Sequence, residues 1–140
     1  MAIHVSYLSP AELLESVGSV VYNANLRASQ AGAEASLAAE DYVHLIEAWD
    51  KRCAYCNHAL VTVLLEHMLP IARGGSSALD NVAPSCDSCN VRKGNQTPVE
   101  WLSPSRYGEF EARLETSRVR YSLLAGGYPV AVSIQYSVGY

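Results

Sequence analysis

Two Cys-x-x-Cys pairs, Cys53/Cys56 and Cys86/Cys89, bracket an adjacent carboxylate and imidazole, Glu66-His67. Two thiolates at this spacing can grip one ion while the backbone turns around it, and two such pairs complete a tetrahedral zinc site. Closing that site would tie together the ends of a long loop and add folding energy when metal binds. Asn57 and Asn90 follow the two pairs, and asparagine tolerates the left-handed turn that ends such a structure. Three other readings compete. A redox dithiol needs a βαβ context that the pattern lacks, disulfides need an oxidising compartment, and His58 could replace one sulfur or be a solvated loop residue. The Glu66-His67 pair suits a different chemistry, metal-assisted hydrolysis. A neutral imidazole near pH 7 can take a proton from water, and a carboxylate can hold a hard cation. Consecutive strand residues point to opposite faces, so the two groups share one site only if the strand ends or bends there.

The surrounding pattern supplies elements to position them. Ile3, Val5 and Tyr7 alternate with polar residues and predict a short strand. Ser9-Pro10-Ala11-Glu12 is an N-cap, a proline at the first helical position and a reciprocal glutamate. Leu13, Val17, Val20 and Ala24 recur behind it at helical spacing, and Gly32 is a stop. A second helix is predicted from about Leu37 to Asp50, with Tyr42, Leu45, Ile46 and Trp49 on a core-facing stripe. Ala59 to His67 reads as a strand, Pro70 to Asn81 as a Gly74-Gly75 loop, Val82 to Ser85 as a returning strand and Asp87 to Lys93 as a short helix. A C-terminal helix follows from about Pro104 to Tyr121, with Tyr107, Phe110 and Leu114 inward, a Glu109–Arg113 pair one turn apart and Gly126-Gly127 as its end. Val130 to Val138 alternates as a final strand, expected to pair with the N-terminal one or to extend a partner's sheet.

Read together, Glu66-His67-x-x-Pro70, Gly74-Gly75, Asn81 and Cys86-x-x-Cys89-Asn90-x-x-Lys93 resemble the HNH endonuclease family. The resemblance implies an α+β fold: a ββα-metal core with a four-cysteine zinc site, flanked by N-terminal helices and by a C-terminal helix plus terminal strand. The organisation expected is a single domain over residues 1–140, with a scaffold at 1–50, the zinc and ββα-metal core at 51–98 and the helix and strand at 99–140. It makes His67 the general base, Glu66 and Asn90 ligands of a catalytic Mg²⁺ or Mn²⁺, and Asn81 the residue that bonds backbone across the loop and orients His67. It also makes Cys53, Cys56, Cys86 and Cys89 the ligands of structural zinc. The expected activity is hydrolysis of DNA phosphodiesters to 5′-phosphate ends, with Arg73, Arg92 and Lys93 as phosphate-contacting bases. Glu66 stands where many members carry aspartate, and Asn90 where many carry histidine, which favours magnesium over softer ions. Asn81 and Asn90 also read as plain turn residues, and the bases as solvated side chains. The upstream helices resemble those of small phage and bacterial members.

Composition bounds this reading. With 140 residues, 49% hydrophobic and 17% charged, the chain is long enough to bury a core and is not of disordered type. The N-terminus has no signal-peptide pattern and the apolar runs are too short to span a bilayer, which predicts a cytoplasmic protein with no membrane partner. The net charge of −4 divides unevenly: −6 over residues 1–50, where Arg27 is the one base, +2 over 51–98, and zero over 99–140. A patch of +2 predicts modest, salt-sensitive affinity for DNA, with a protein partner or homodimer supplying the targeting. The competing class is a zinc-stapled nucleic-acid or protein binding module that keeps the fold without cutting; the intact Glu66, His67 and Asn90 argue against it.

Overall fold

The computed structural model describes residues 3–5 and 8–126, so the strand expected at 130–138 and its pairing lie outside the described residues. The chain begins with β1 (Ile3–His4) and enters α1 (Pro10–Gln30) through the expected capping box. The Glu12 backbone N–H donates to Ser9 Oγ at 3.2 Å, and the Ser9 N–H donates to Glu12 Oε1 at 3.0 Å. Leu13, Val17, Val20, Val21, Ala24 and Ala28 form the buried stripe. The chain turns at Gly32, whose φ of +78° favours glycine.

Helix α2 (Ala39–Ala48) starts two residues later than its apolar spacing suggests. The reason is local: the Asn25 amide donates to the Leu37 carbonyl at 2.8 Å and accepts from the Leu37 N–H, holding Leu37 out of the helix. Tyr42, Leu45, Ile46 and Trp49 are buried as expected. Asp50 and Lys51, at φ +58° and +54°, then turn the chain sharply into Cys53.

Strand β2 (Thr62–His67) is shorter than the predicted Ala59–His67, because Ala59 pairs instead with Arg52 and the Leu60 N–H donates to Lys51. These bonds close a turn around the first cysteine pair. β2 lies between β1 and β3 (Val82–Ser85), antiparallel to both, with Glu66 opposite Ala83 and His67 opposite Val82. Helix α3 (Asp87–Lys93) follows β3 directly and packs on β2. The architecture is therefore mixed α/β.

Two later features depart from expectation. A short helix, α4 (Pro98–Trp101), was not anticipated, although Thr97-Pro98-Val99-Glu100 repeats the cap signal of α1 and the Thr97 N–H donates to Glu100 Oε1 at 2.8 Å. Helix α5 (Pro104–Leu124) runs past Tyr121. The predicted Glu109–Arg113 pair is not formed among the described residues, and Arg113 Nη2 instead donates to the Ala54 and Tyr55 carbonyls at 2.9 and 3.0 Å. Carbonyls exposed by a tight turn gain more from a charged donor than an exposed one-turn ion pair contributes, about 1.5–3 against roughly 0.3–0.5 kcal/mol. Above this turn Phe110, fully buried, stacks on Tyr55 and Trp49 with ring centroids 5.2 and 6.3 Å apart, joining α5 and α2 to the cysteine turn.

Candidate active site and metal centre

The four thiols converge. Their Sγ atoms all lie within 4.8 Å of one another, and Cys56 and Cys86 are 3.9 Å apart. A tetrahedral ion with metal–sulfur bonds of about 2.3 Å needs sulfurs roughly 3.8 Å apart, so the cluster could hold a metal ion after a small contraction. All four are free thiols, as that reading requires, and His58 is an exposed residue outside the cluster. Each pair is shaped by backbone bonds. The Cys53 N–H donates to His58, Asn57 takes the expected left-handed conformation at φ +63°, and Cys86 caps α3 by accepting the Cys89 N–H at 3.4 Å. Burial, then the charge of neighbouring thiolates, pushes the Cys53 and Cys89 thiols up. Four thiolates this close need a cation to stay ionised together.

Glu66 and His67 are the last two residues of β2, and both open onto one cavity of about 620 Å³ that Asn90 of α3 also lines. The strand ends where the alternation would otherwise send the two side chains apart. Asn81 is what terminates it. Its side-chain amide donates to the Leu69 and Ser76 carbonyls at 3.0 and 2.8 Å and accepts the Leu69 N–H at 2.8 Å. The loop is drawn so close that a Cβ on Gly75 would stand 1.8 Å from the Leu69 carbonyl oxygen, and Gly74 sits at φ +89°.

Asn81 forms no hydrogen bond with the His67 ring among the described residues. That contact falls to Ser77, a residue the sequence reading passed over, whose Oγ lies 3.3 Å from His67 Nε2 in the buried wall of the loop. Ser77 is itself locked by backbone bonds to Glu34, Ser36 and Leu37. Nδ1 carries no hydrogen bond among the described residues. Burial first, then the charges of Arg27 and Lys93, lowers the His67 pKa to about 4, so the imidazole is neutral at pH 7.

Lys93 requires a correction. Expected as a phosphate contact, it is among the most deeply buried side chains in the protein, only 1% exposed. Its Nζ lies 2.8 Å from Glu66 Oε2 and donates to the His67 carbonyl at 3.2 Å. Tyr55 Oη donates to the same Glu66 oxygen at 2.6 Å. An ammonium buried and held this way cannot reach DNA, because withdrawing it would strand a buried carboxylate. Tyr55 lies between Cys53 and Cys56, and Lys93 lies one turn beyond Cys89, so the cysteine cluster grips the Glu66 carboxyl from both sides. Burial pushes the Glu66 carboxyl up, opposed by Lys93 and the Tyr55 hydroxyl. Oε1 makes no hydrogen bond among the described residues, and neither does the Asn90 side chain.

The other two expected bases are exposed but occupied. Arg73 is paired with Glu100 and donates to the Asn95 carbonyl, and Arg92 leans toward Cys89 Sγ at 3.7 Å. In their place the cavity holds Arg27, an exposed cation of α1 whose position could not be read from spacing.

Residues 53–102 match the family model of HNH endonucleases, from the first cysteine through α4. The resemblance read from the motif is thereby borne out over this segment, which contains every site residue discussed except Arg27. The match associates the segment with nuclease activity. No helix among the described residues is long and apolar enough to cross a membrane.

Proposed function

We propose that the protein is a metal-dependent endonuclease that hydrolyses DNA phosphodiesters, with β2, β3 and α3 serving as a ββα-metal core. The observation that carries this reading is the shared cavity: His67, whose imidazole is neutral at pH 7, Glu66 and Asn90 line one space of about 620 Å³. Oxygen donors few in number suit a hard divalent ion that keeps several waters. Glu66 Oε1 and the Asn90 side chain would hold Mg²⁺ or Mn²⁺, which when bound stabilises charge on the phosphorus oxygens and on the departing 3′-oxygen.

His67 acts as general base. With Nε2–H donating to Ser77 Oγ, Nδ1 is left to accept a proton from water as that oxygen bonds to phosphorus. The phosphorus–O3′ bond breaks, the 3′-oxygen takes a proton from solvent, and the ends are 5′-phosphate and 3′-hydroxyl. Asn81 positions the backbone that carries His67. Lys93 and Tyr55 hold Glu66 by one oxygen, leaving the other for the ion. The four cysteines would hold zinc, whose role is to close the loop and fix Tyr55 and Lys93 on either side of Glu66.

The test is plasmid cleavage by purified protein with Mg²⁺ or Mn²⁺, beside a His67→Ala variant. Cutting by the wild type alone is expected. Equal cutting by both, or by neither, overturns the reading.

A further inference from the structure

The wall of the cavity opposite β2 and α3 is α1, which contributes Val20, Asn23 and Arg27. These positions are three and four residues apart and so share one helix face. Val20 is buried against the core, while Asn23 and Arg27 stand exposed at the opening. Arg27 is the one base among residues 1–50, set against seven acids. Among the described residues its guanidinium forms no ion pair or hydrogen bond. The only acid lining the cavity among the described residues, Glu66, is already neutralised from behind by Lys93 at 2.8 Å. An uncompensated guanidinium on an acidic helix, facing the proposed base across a polar cavity, matches the needs of a single phosphodiester anion. The other bases expected to serve are engaged elsewhere: Arg73 by Glu100, Arg92 toward Cys89 and Lys93 by Glu66.

We propose that Arg27 binds the backbone phosphate of the substrate in this cavity, with Asn23 one turn earlier as a second donor on the same oxygen face. The proposal rests on the nuclease reading and deepens it, making α1 part of the substrate site. A guanidinium can meet two phosphate oxygens with parallel hydrogen bonds, an arrangement lysine cannot reproduce.

The experiment has two arms, each with Arg27→Ala, Arg27→Lys, Asn23→Ala and, as a charge-matched control away from the cavity, Arg106→Ala. In the first, cleavage of a short duplex is measured with Mg²⁺. Arg27→Ala is expected to lose about 10- to 100-fold in kcat/KM, the lysine variant to recover part of it, and Arg106→Ala to match wild type. In the second, the same substitutions are made in the non-cutting His67→Ala protein, and duplex affinity is followed by anisotropy against salt. Arg27→Ala is expected to lower the slope of log affinity on log salt by about one and Arg106→Ala to leave it unchanged. Because Arg27 is exposed, the variants should unfold with the wild type. If the wild type fails to cut but the slope still falls at Arg27, the nuclease reading fails and the phosphate site stands. An unchanged slope, or an equal fall at Arg106, overturns the proposal.

Discussion

Replacing Lys93 with methionine would leave a carboxylate without its counter-ion, and the structure sets the size of the effect. Both partners are nearly sealed from water, with side chains 0% and 6% exposed, and their charged atoms are 2.8 Å apart. Methionine fills the space of the lysine stem but supplies neither the ammonium nor the hydrogen bond to the His67 carbonyl. Removing one member of a buried pair costs about 3–5 kcal/mol, because the survivor is stranded or must take up a proton. The lost backbone bond adds about 1 kcal/mol. Against a total stability of roughly 5–15 kcal/mol, that is a large fraction. The compensating variant, Glu66→Gln with Lys93→Met, removes the stranded charge and keeps an acceptor for the Tyr55 hydroxyl. Urea unfolding followed by circular dichroism, with zinc present throughout, gives the cycle directly. The expected result is that the double variant is more stable than Lys93→Met alone by about 2 kcal/mol or more, with unchanged m-values. A Lys93→Met cost below about 1 kcal/mol, or strictly additive single effects, would refute the reasoning.

Three further outcomes follow from the site geometry. The His67 ring should titrate near pH 4, read from its imidazole NMR resonances; because that lies below the unfolded value of about 6.5, its contribution to stability is present above the unfolded pKa and lost as pH falls toward 4. A ring titrating near 6.5 in the folded protein would contradict the placement. Gly75→Ala should lower the unfolding midpoint in urea markedly, since its Cβ would meet the Leu69 carbonyl oxygen at 1.8 Å and backbone must move; an unchanged midpoint would count against the loop's closeness. Ser77→Ala should lower kcat about tenfold with KM little changed, because the ring loses its Nε2 partner but not its place in the cavity.

Much of this arrangement was legible as local signals. Ser9-Pro10-x-Glu12 specifies a helix start by hydrogen bonds within four residues, and the cysteine spacings bring each thiol pair together without reference to the rest of the chain. The Asn81 role was likewise visible in outline through the resemblance, which implies a bond from that side chain to backbone across the loop. What could not be read were choices between partners distant in sequence. Arg113 has an acceptable neighbour in Glu109 but forsakes it for carbonyls at residues 54 and 55, a decision made by the burial of that turn. Lys93 looks like a surface base until β2 is laid against α3, when it becomes the only buried cation near Glu66 among the described residues. Arg27 belongs to a different element from the motif, and nothing in helical periodicity says which exposed residue of α1 will face a cavity 40 residues downstream in sequence. Helix α4 is the exception, since Thr97-Pro98-x-Glu100 carried the same cap signal as α1.

The central claim is that His67 and the Glu66–Asn90 pair serve one site in different capacities, and Mn²⁺ binding measured on the same preparations that are assayed for cleavage tests it most directly. His67→Ala is expected to abolish cutting while keeping the ion bound in the cavity, and Glu66→Gln and Asn90→Ala to weaken binding and cutting together. Cutting that survives in His67→Ala, or ion binding unaffected by both ligand substitutions, would contradict the account.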